Sequence, residues 1–114
     1  MSKLMNAREY EESLRKLGMR VYMFGRRVEN VVDDPIIRPS MNAVAATYEY
    51  AHRPEYEDIM TAKSHLTGKK INRFTHIHQS TEDLVKKSKM GRLLGSLTAC
   101  CFQRCVGMDA LNAL

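Results

Sequence analysis

The 114 residues predict a mainly α-helical domain with one minor extended element. Three patterns carry that expectation. NAREYEESLRKL repeats apolar residues at helical spacing, MNAVAATYEYAHR is rich in the best helix former, and a long capped run fills residues 80–114. β-branched and aromatic residues cluster around Gly25, which marks the extended exception.

Taken in order, Asn6 stands as the cap of a first helix. Tyr10, Leu14 and Leu17 form its apolar stripe, and Gly18 is the stop signal. RVYMFG and VENVV, on either side of Gly25 and Arg26-Arg27, predict a brief extended pair or turn within residues 20–32. Asp33-Asp34-Pro35 and Arg38-Pro39-Ser40 punctuate the chain, because proline fixes its own φ and pushes its predecessor out of the helical region. Ser40 is expected to cap a second helix that ends before Pro54. PEYEDIMTAK reads as a further helical segment ended by Gly68, and INRFTHIHQ as a short extended stretch. Ser80 and Asp83 form a capping pair for STEDLVKKSKMGRLLGSLTACCFQRCVGMDALNAL, read as one long helix that includes Cys100 to Cys105.

With 44% hydrophobic and 27% charged residues, the chain is expected to fold as one small domain. No apolar run approaches the ~20 residues of a membrane span. The polar start MSKLMNAREYEESLRK lacks the apolar core of a leader, so a cytoplasmic protein without membrane contact is expected. The net charge of +5 raises a nucleic-acid reading. Lys and Arg are scattered among acidic neighbours, however, and no aromatic residues interleave with them as a single-strand platform requires. No nucleic-acid partner is therefore expected.

Gly91, Gly95 and Gly107 lie inside the last helical pattern, where each costs about 1 kcal/mol relative to Ala. Gly91 and Gly95 share a face, which reads as a tight contact with another helix.

All three cysteines fall in TACCFQRCVG. On a regular helix Cys101 and Cys105 lie about 40° apart around the axis and about 6 Å along it, so both sulfurs reach one object. Cys100 leaves the axis about 100° away from Cys101. A disulfide does not suit a reducing compartment. A zinc site wants four ligands, often on turns, and these are not evident even with His76 and His78 in THIHQ. An iron–sulfur cluster accepts thiolates at varied spacing from separate segments, and two thiolates would be half of such a site. The other reading of the pair is as small buried core residues.

VENVVDDPIIRPSMNAVAATYEYA, TGKKINRFTHIHQSTEDLVKK and RLLGSLTACCFQRCVGMDALNAL together resemble the amino-terminal part of the 4-hydroxybutyryl-CoA dehydratases (vinylacetyl-CoA delta-isomerases), within the 4-hydroxyphenylacetate 3-hydroxylase superfamily. CFQRCVGMDA is the most specific part. The resemblance implies the amino-terminal helical domain of an acyl-CoA-dehydrogenase-like architecture. Residues 1–114 would then be a fragment of a longer flavoenzyme, without its β domain and carboxy-terminal helical bundle. It further implies FAD and a [4Fe-4S] cluster held by three cysteines and one histidine. Cys101 and Cys105 match the first two ligands, Cys100 is a non-ligand, and the other ligands lie downstream. The implied reaction is radical dehydration of an acyl-CoA substrate to crotonyl-CoA in a homotetramer, with no catalytic residue in this segment and neither cofactor stably held by it alone. A flavin-dependent aromatic hydroxylase domain and an inactive helical interaction module are the alternatives.

Arg92 and Gln103 are expected opposite the Cys101 face, as surface or partner contacts. Tyr22, Phe24 and Tyr48 read as core residues, not flavin-stacking ones. The methionines, including Met19, Met23, Met41 and Met108, suggest an adaptable interior or interface.

Overall fold

The structure is a computed structural model and describes residues 3–99 and 104–114, with the side chain of Cys105 left aside. Helix α1 (Ala7–Lys16) starts as expected. The Asn6 carboxamide oxygen accepts from the Glu9 N–H and the Glu9 carboxylate accepts from the Asn6 N–H, both at 2.9 Å, so two orphan donors are satisfied reciprocally. Gly18, with φ +59°, turns the chain out of the helix.

Strands β1 (Val21–Met23) and β2 (Arg26–Val28) form an antiparallel hairpin in which Tyr22 faces Arg27. Its two-residue turn is Phe24-Gly25, with φ of +52° and +76°, the left-handed pair that matches strand twist. Val28 points into the protein, but Tyr22 and Phe24 are 70% and 81% exposed. The expectation that these two aromatics are core residues fails, because β-propensity reports a strand and not which of its faces is covered.

Helix α2 (Arg38–Glu49) corrects the second expectation. It begins before Ser40, because the Asp34 carbonyl accepts from the Ile37 and Arg38 N–H groups and winds the chain into the helix early. Pro39 fits the first turn, where its missing N–H is not needed. A 3₁₀ turn (Tyr50–His52) carries the chain to Arg53, whose extended backbone (ψ 125°) is what Pro54 demands of its predecessor.

PEYEDIMTAK is only partly helical. After a 3₁₀ turn at Pro54–Tyr56, α3 (Glu57–Met60) lasts one turn. TAK then becomes strand β3 (Thr61–Lys63), antiparallel to β4 (Lys70–Asn72), and Gly68 (φ +67°) belongs to the turn between them. Of INRFTHIHQ only the start is strand. The buried Asn72 side chain accepts from the Phe74 N–H and opens a 3₁₀ turn at Arg73–Thr75.

The long carboxy-terminal helix is in fact two. Ser80 caps α4 (Thr81–Thr98), its hydroxyl accepting from the Asp83 N–H at 3.3 Å. α4 then closes at Ala99, which adopts φ +53° and donates its N–H to the Gly95 carbonyl. Just before the break, the Ser96 and Thr98 hydroxyls donate to the Leu93 and Leu94 carbonyls, a side-chain competition that bends and ends helices. α5 (Arg104–Ala113) follows. One unbroken helix from Ser80 onward is thus excluded by the break at Ala99, while Cys100 to Gln103, on which the 40° and 100° bearings of the thiols rest, lie outside the described residues.

The core gathers Ala51, Met60, Phe74, Met90, Leu94 and Met108, drawn from the 3₁₀ turn after α2, from α3, from the 3₁₀ turn after β4, and from α4 and α5. Its methionines fit the adaptable-interior reading, and Met41 is buried as well, though outside this cluster, while Met19 is exposed. A Cβ built on Gly91, Gly95 or Gly107 meets nothing within 4 Å, so the expected tight helix contact is not made among the described residues.

Candidate functional site

Cys101, with Cys100 and Gln103, lies outside the described residues, and Cys105 falls in the first turn of α5. What the structure does define is how the segment bearing them is held. On one side, the fully buried Leu94 anchors α4 in the core. On the other, α5 is docked by Arg104, Met108 and Asn112, at i, i+4 and i+8 on one face.

Arg104 is the least expected of the three. Its guanidinium lies 4.6 Å from the Tyr48 ring centroid and 4.6 Å from that of Phe74, between two aromatic faces. It donates to the hydroxyl of the fully buried Thr47, which donates in turn to the Val44 carbonyl at 2.6 Å. Tyr10 from α1 stacks on Tyr48, with centroids 4.5 Å apart and planes 16° from parallel. Burial lowers the pKa of Arg104, offset in part by the two tyrosines, and no carboxylate among the described residues pairs with it. Sequence reasoning missed this residue because nothing local marks it; its partners come from α2 and the 3₁₀ turn after β4.

Asn112 ties α5 to the histidine segment. Its side-chain oxygen accepts from the His78 N–H at 2.7 Å, and its nitrogen donates to the His76 and Met108 carbonyls. Lys87 of α4 pairs with Asp109 of α5.

His76 and His78 do not act as a pair. The His76 ring bonds Asp83 through Nε2 at 3.1 Å. Asp83 also accepts from the Gln79 N–H (2.8 Å) and from Arg73 (3.3 Å). Burial pushes the Asp83 carboxyl up, but these three donors outweigh it and hold the group at about 2. Arg73, only 3% exposed, also donates to the Asp58, Ile59 and Thr61 carbonyls, which fastens α3 and β3 to α4. Both ring nitrogens of His78 are buried without a hydrogen-bond partner, and burial lowers its pKa.

A cleft of about 860 Å³ opens beside this cluster, lined by Glu57, Asp58, Lys70, Arg73, Asp83 and Lys86 among others. Its charges cancel in pairs: Lys70 with Glu57 at 2.6 Å, Lys86 with Asp58 at 2.8 Å, Arg73 with Asp83. It therefore offers no surplus charge for a ligand. Among the described residues no group of three or more His, Cys, Asp or Glu side chains could hold a metal ion. Arg92 is exposed, as expected of a surface contact. No helix among the described residues is long and apolar enough to cross a membrane.

Helices arranged in this order, with two short hairpins between them, form the amino-terminal helical domain of the acyl-CoA-dehydrogenase-like architecture. The chain belongs to the 4-hydroxyphenylacetate 3-hydroxylase N-terminal family, which it matches over residues 6–114. It is 67% identical over 111 residues to the 4-hydroxybutyryl-CoA dehydratase/vinylacetyl-CoA-Delta-isomerase of Clostridium aminobutyricum, a match that covers 97% of this chain and 23% of that protein. An oxygen-tolerant archaeal 4-hydroxybutyryl-CoA dehydratase from N. maritimus superposes with a TM-score of 0.90 at 52% identity, over 97% of this chain and 22% of the other. The oxygenase component of 4-hydroxyphenylacetate 3-monooxygenase, complexed with FAD, superposes with a TM-score of 0.69 at 25% identity, over 82% of this chain and 19% of the other. The chain thus spans less than a quarter of the length of these relatives.

Proposed function

We propose that this chain is the amino-terminal, cluster-ligand-bearing domain of a 4-hydroxybutyryl-CoA dehydratase/vinylacetyl-CoA isomerase. The observation that carries the proposal is the 67% identity over nearly the whole chain, against 25% to 37% for aromatic oxygenases. An acyl-CoA thioester as substrate, FAD as second cofactor and a cytoplasmic homotetramer as the assembled form belong to the same proposal.

The donor set fits a [4Fe-4S] cluster in part. Cys101 and Cys105 supply soft thiolates on the stretch where α4 has ended and α5 begins, and iron–sulfur sites commonly recruit ligands from such separate segments. By the resemblance, the third cysteine and the histidine ligand would lie downstream of this segment. When bound, the cluster supplies a Lewis-acidic iron for a departing hydroxyl and FAD a one-electron acceptor. This chain's own part is to present two thiolates from a segment fixed at α5 by Arg104, Met108 and Asn112. No general base is assigned here, since His76 is engaged with Asp83 and both His78 nitrogens are buried.

The test is iron and acid-labile sulfide analysis of an anaerobically purified protein of the relatives' full length that contains this segment. Cys101→Ser and Cys105→Ser should each remove the cluster, because serine does not supply the soft thiolate. Full iron content in either variant would overturn the assignment. The 114-residue chain alone should not turn over 4-hydroxybutyryl-CoA.

A further inference from the structure

The chain leaves Thr75 with an extended backbone at His76 (ψ 133°), and from there exposure alternates: His76 and His78 turn inward, Ile77 and Gln79 outward. Both nitrogens of the His78 ring are sealed from solvent, and neither has a hydrogen-bond partner. A neutral ring leaves one donor and one acceptor unmet there, whereas an imidazolium leaves two donors and a charge. The charged groups around the ring add to that cost. From its own segment they are His76 and Arg73, and from α4 they are Lys87 and Asp83. Asp83 alone favours the charged ring, and its oxygens already accept from Arg73, His76 and the Gln79 N–H. The charged side chains of α5 are engaged too, Arg104 between Tyr48 and Phe74 and Asp109 with Lys87. A charged His78 therefore has to leave its seat.

Leaving has a mechanical consequence. An inward ring on an extended, alternating stretch reaches water by a turn of the backbone that carries it, and the His78 N–H is the group that Asn112 of α5 holds at 2.7 Å. The same Asn112 side chain donates to the His76 carbonyl at 3.3 Å and to the Met108 carbonyl at 2.9 Å, so one residue straps α5 to the histidine segment. We propose that His78 is a pH-sensitive latch for α5: neutral, it lets Asn112 strap the helix down, and on protonation it turns out to water, breaks the strap and releases the carboxy-terminal half of α5. The closed form dominates above the ordinary histidine pKa of ~6.5, and the open form, which takes up the proton, gains as pH falls below it. This latch is independent of what the cysteines bind.

Amide hydrogen exchange followed by mass spectrometry tests this in a protein of the relatives' full length, from about pH 7 to about pH 5, with each rate corrected for the intrinsic pH dependence of exchange. In the parent, protection of α5 peptides should fall by up to about tenfold per pH unit, the limit for one proton, while protection of α4 stays level. His78→Leu should keep α5 protection level across the range. Asn112→Ala should lose that protection already at the upper pH, with little further change on acidification. Level α5 protection in the parent overturns the proposal, and so does an equal fall in α4, which would report opening of the whole domain. Persistence of the α5 fall in His78→Leu, or parental protection in Asn112→Ala, overturns it as well. If His78→Leu does not fold, His78→Gln, which also lacks a titrating ring, is read by the same two outcomes.

Discussion

At the scale of single residues, the Arg73–Asp83–His76 cluster concentrates the structural electrostatics. Arg73 is almost wholly buried and Asp83 is its only carboxylate partner among the described residues, so Asp83→Asn leaves a buried cation with carbonyl oxygens in its place. Breaking one half of such a pair should destabilise the protein by about 3 kcal/mol, read from the urea midpoint. The Asp83 carboxyl titrates at about 2 in the folded state, below the ~3.9 of an unfolded aspartate. Its stabilisation is therefore complete above that unfolded value and lost as pH falls from there toward 2. His78 works in the opposite chemical sense with the same direction in pH. Burial lowers its pKa, an effect reinforced by Lys87, His76 and Arg73 and opposed by Asp83. The unfolded chain thus takes up a proton near pH ~6.5 that the folded chain resists, and stability should decline as pH drops through that value. His78→Leu should flatten the slope of stability between pH 7 and 5 in urea titrations. An unchanged slope would show that other groups set it.

At the scale of elements, the break at Ala99 matters most. A left-handed alanine costs about 1–2 kcal/mol, and Gly there does not bear that cost. Ala99→Gly should therefore stabilise the chain by about 1 kcal/mol in thermal unfolding. A loss of stability would mean that this helix end is not so closed. The same element shows what could be read from the amino acids. Starts that rest on a side chain bonding its own neighbours, as at Asn6 and Ser80, were legible, and so were the left-handed glycines at residues 18 and 25. The end of α4 was not, because an alanine occupies the position where glycine would announce it, and only the hydroxyls of Ser96 and Thr98 hint at a stop. α2 was misplaced for a related reason: the donor groups at its start are satisfied by the backbone of Asp34, which no cap residue advertises. The role proposed for the cysteine segment rests on kinship alone, whereas the aromatic clamp at the start of α5 joins residues 48, 74 and 104, whose meeting only the tertiary structure reveals.

For the whole molecule, the radius of gyration of 15.4 Å exceeds the about 13 Å expected of a compact chain this long. The hairpin carrying Tyr22 and Phe24, together with Leu17 and Met19, leaves large apolar side chains in water. Replacing Tyr22 and Phe24 by Ser should change stability by less than about 0.5 kcal/mol, because neither is packed, while lowering aggregation of the isolated chain as followed by light scattering. A large loss of stability would show that the hairpin tip is packed after all. The interior carries a different consequence. Met60, Met90 and Met108, the centre of the core, are essentially sealed, whereas Met5 and Met19 are open to solvent. A mild peroxide should convert the two outer thioethers to sulfoxides directly and reach the inner three only when the domain opens. Each inner oxidation installs a polar, chiral group that the core cannot repack, so opening becomes irreversible in proportion to exposure time. The sulfur-built centre is in effect a chemical clock, and its ticking, counted by mass spectrometry, measures how often this domain breathes.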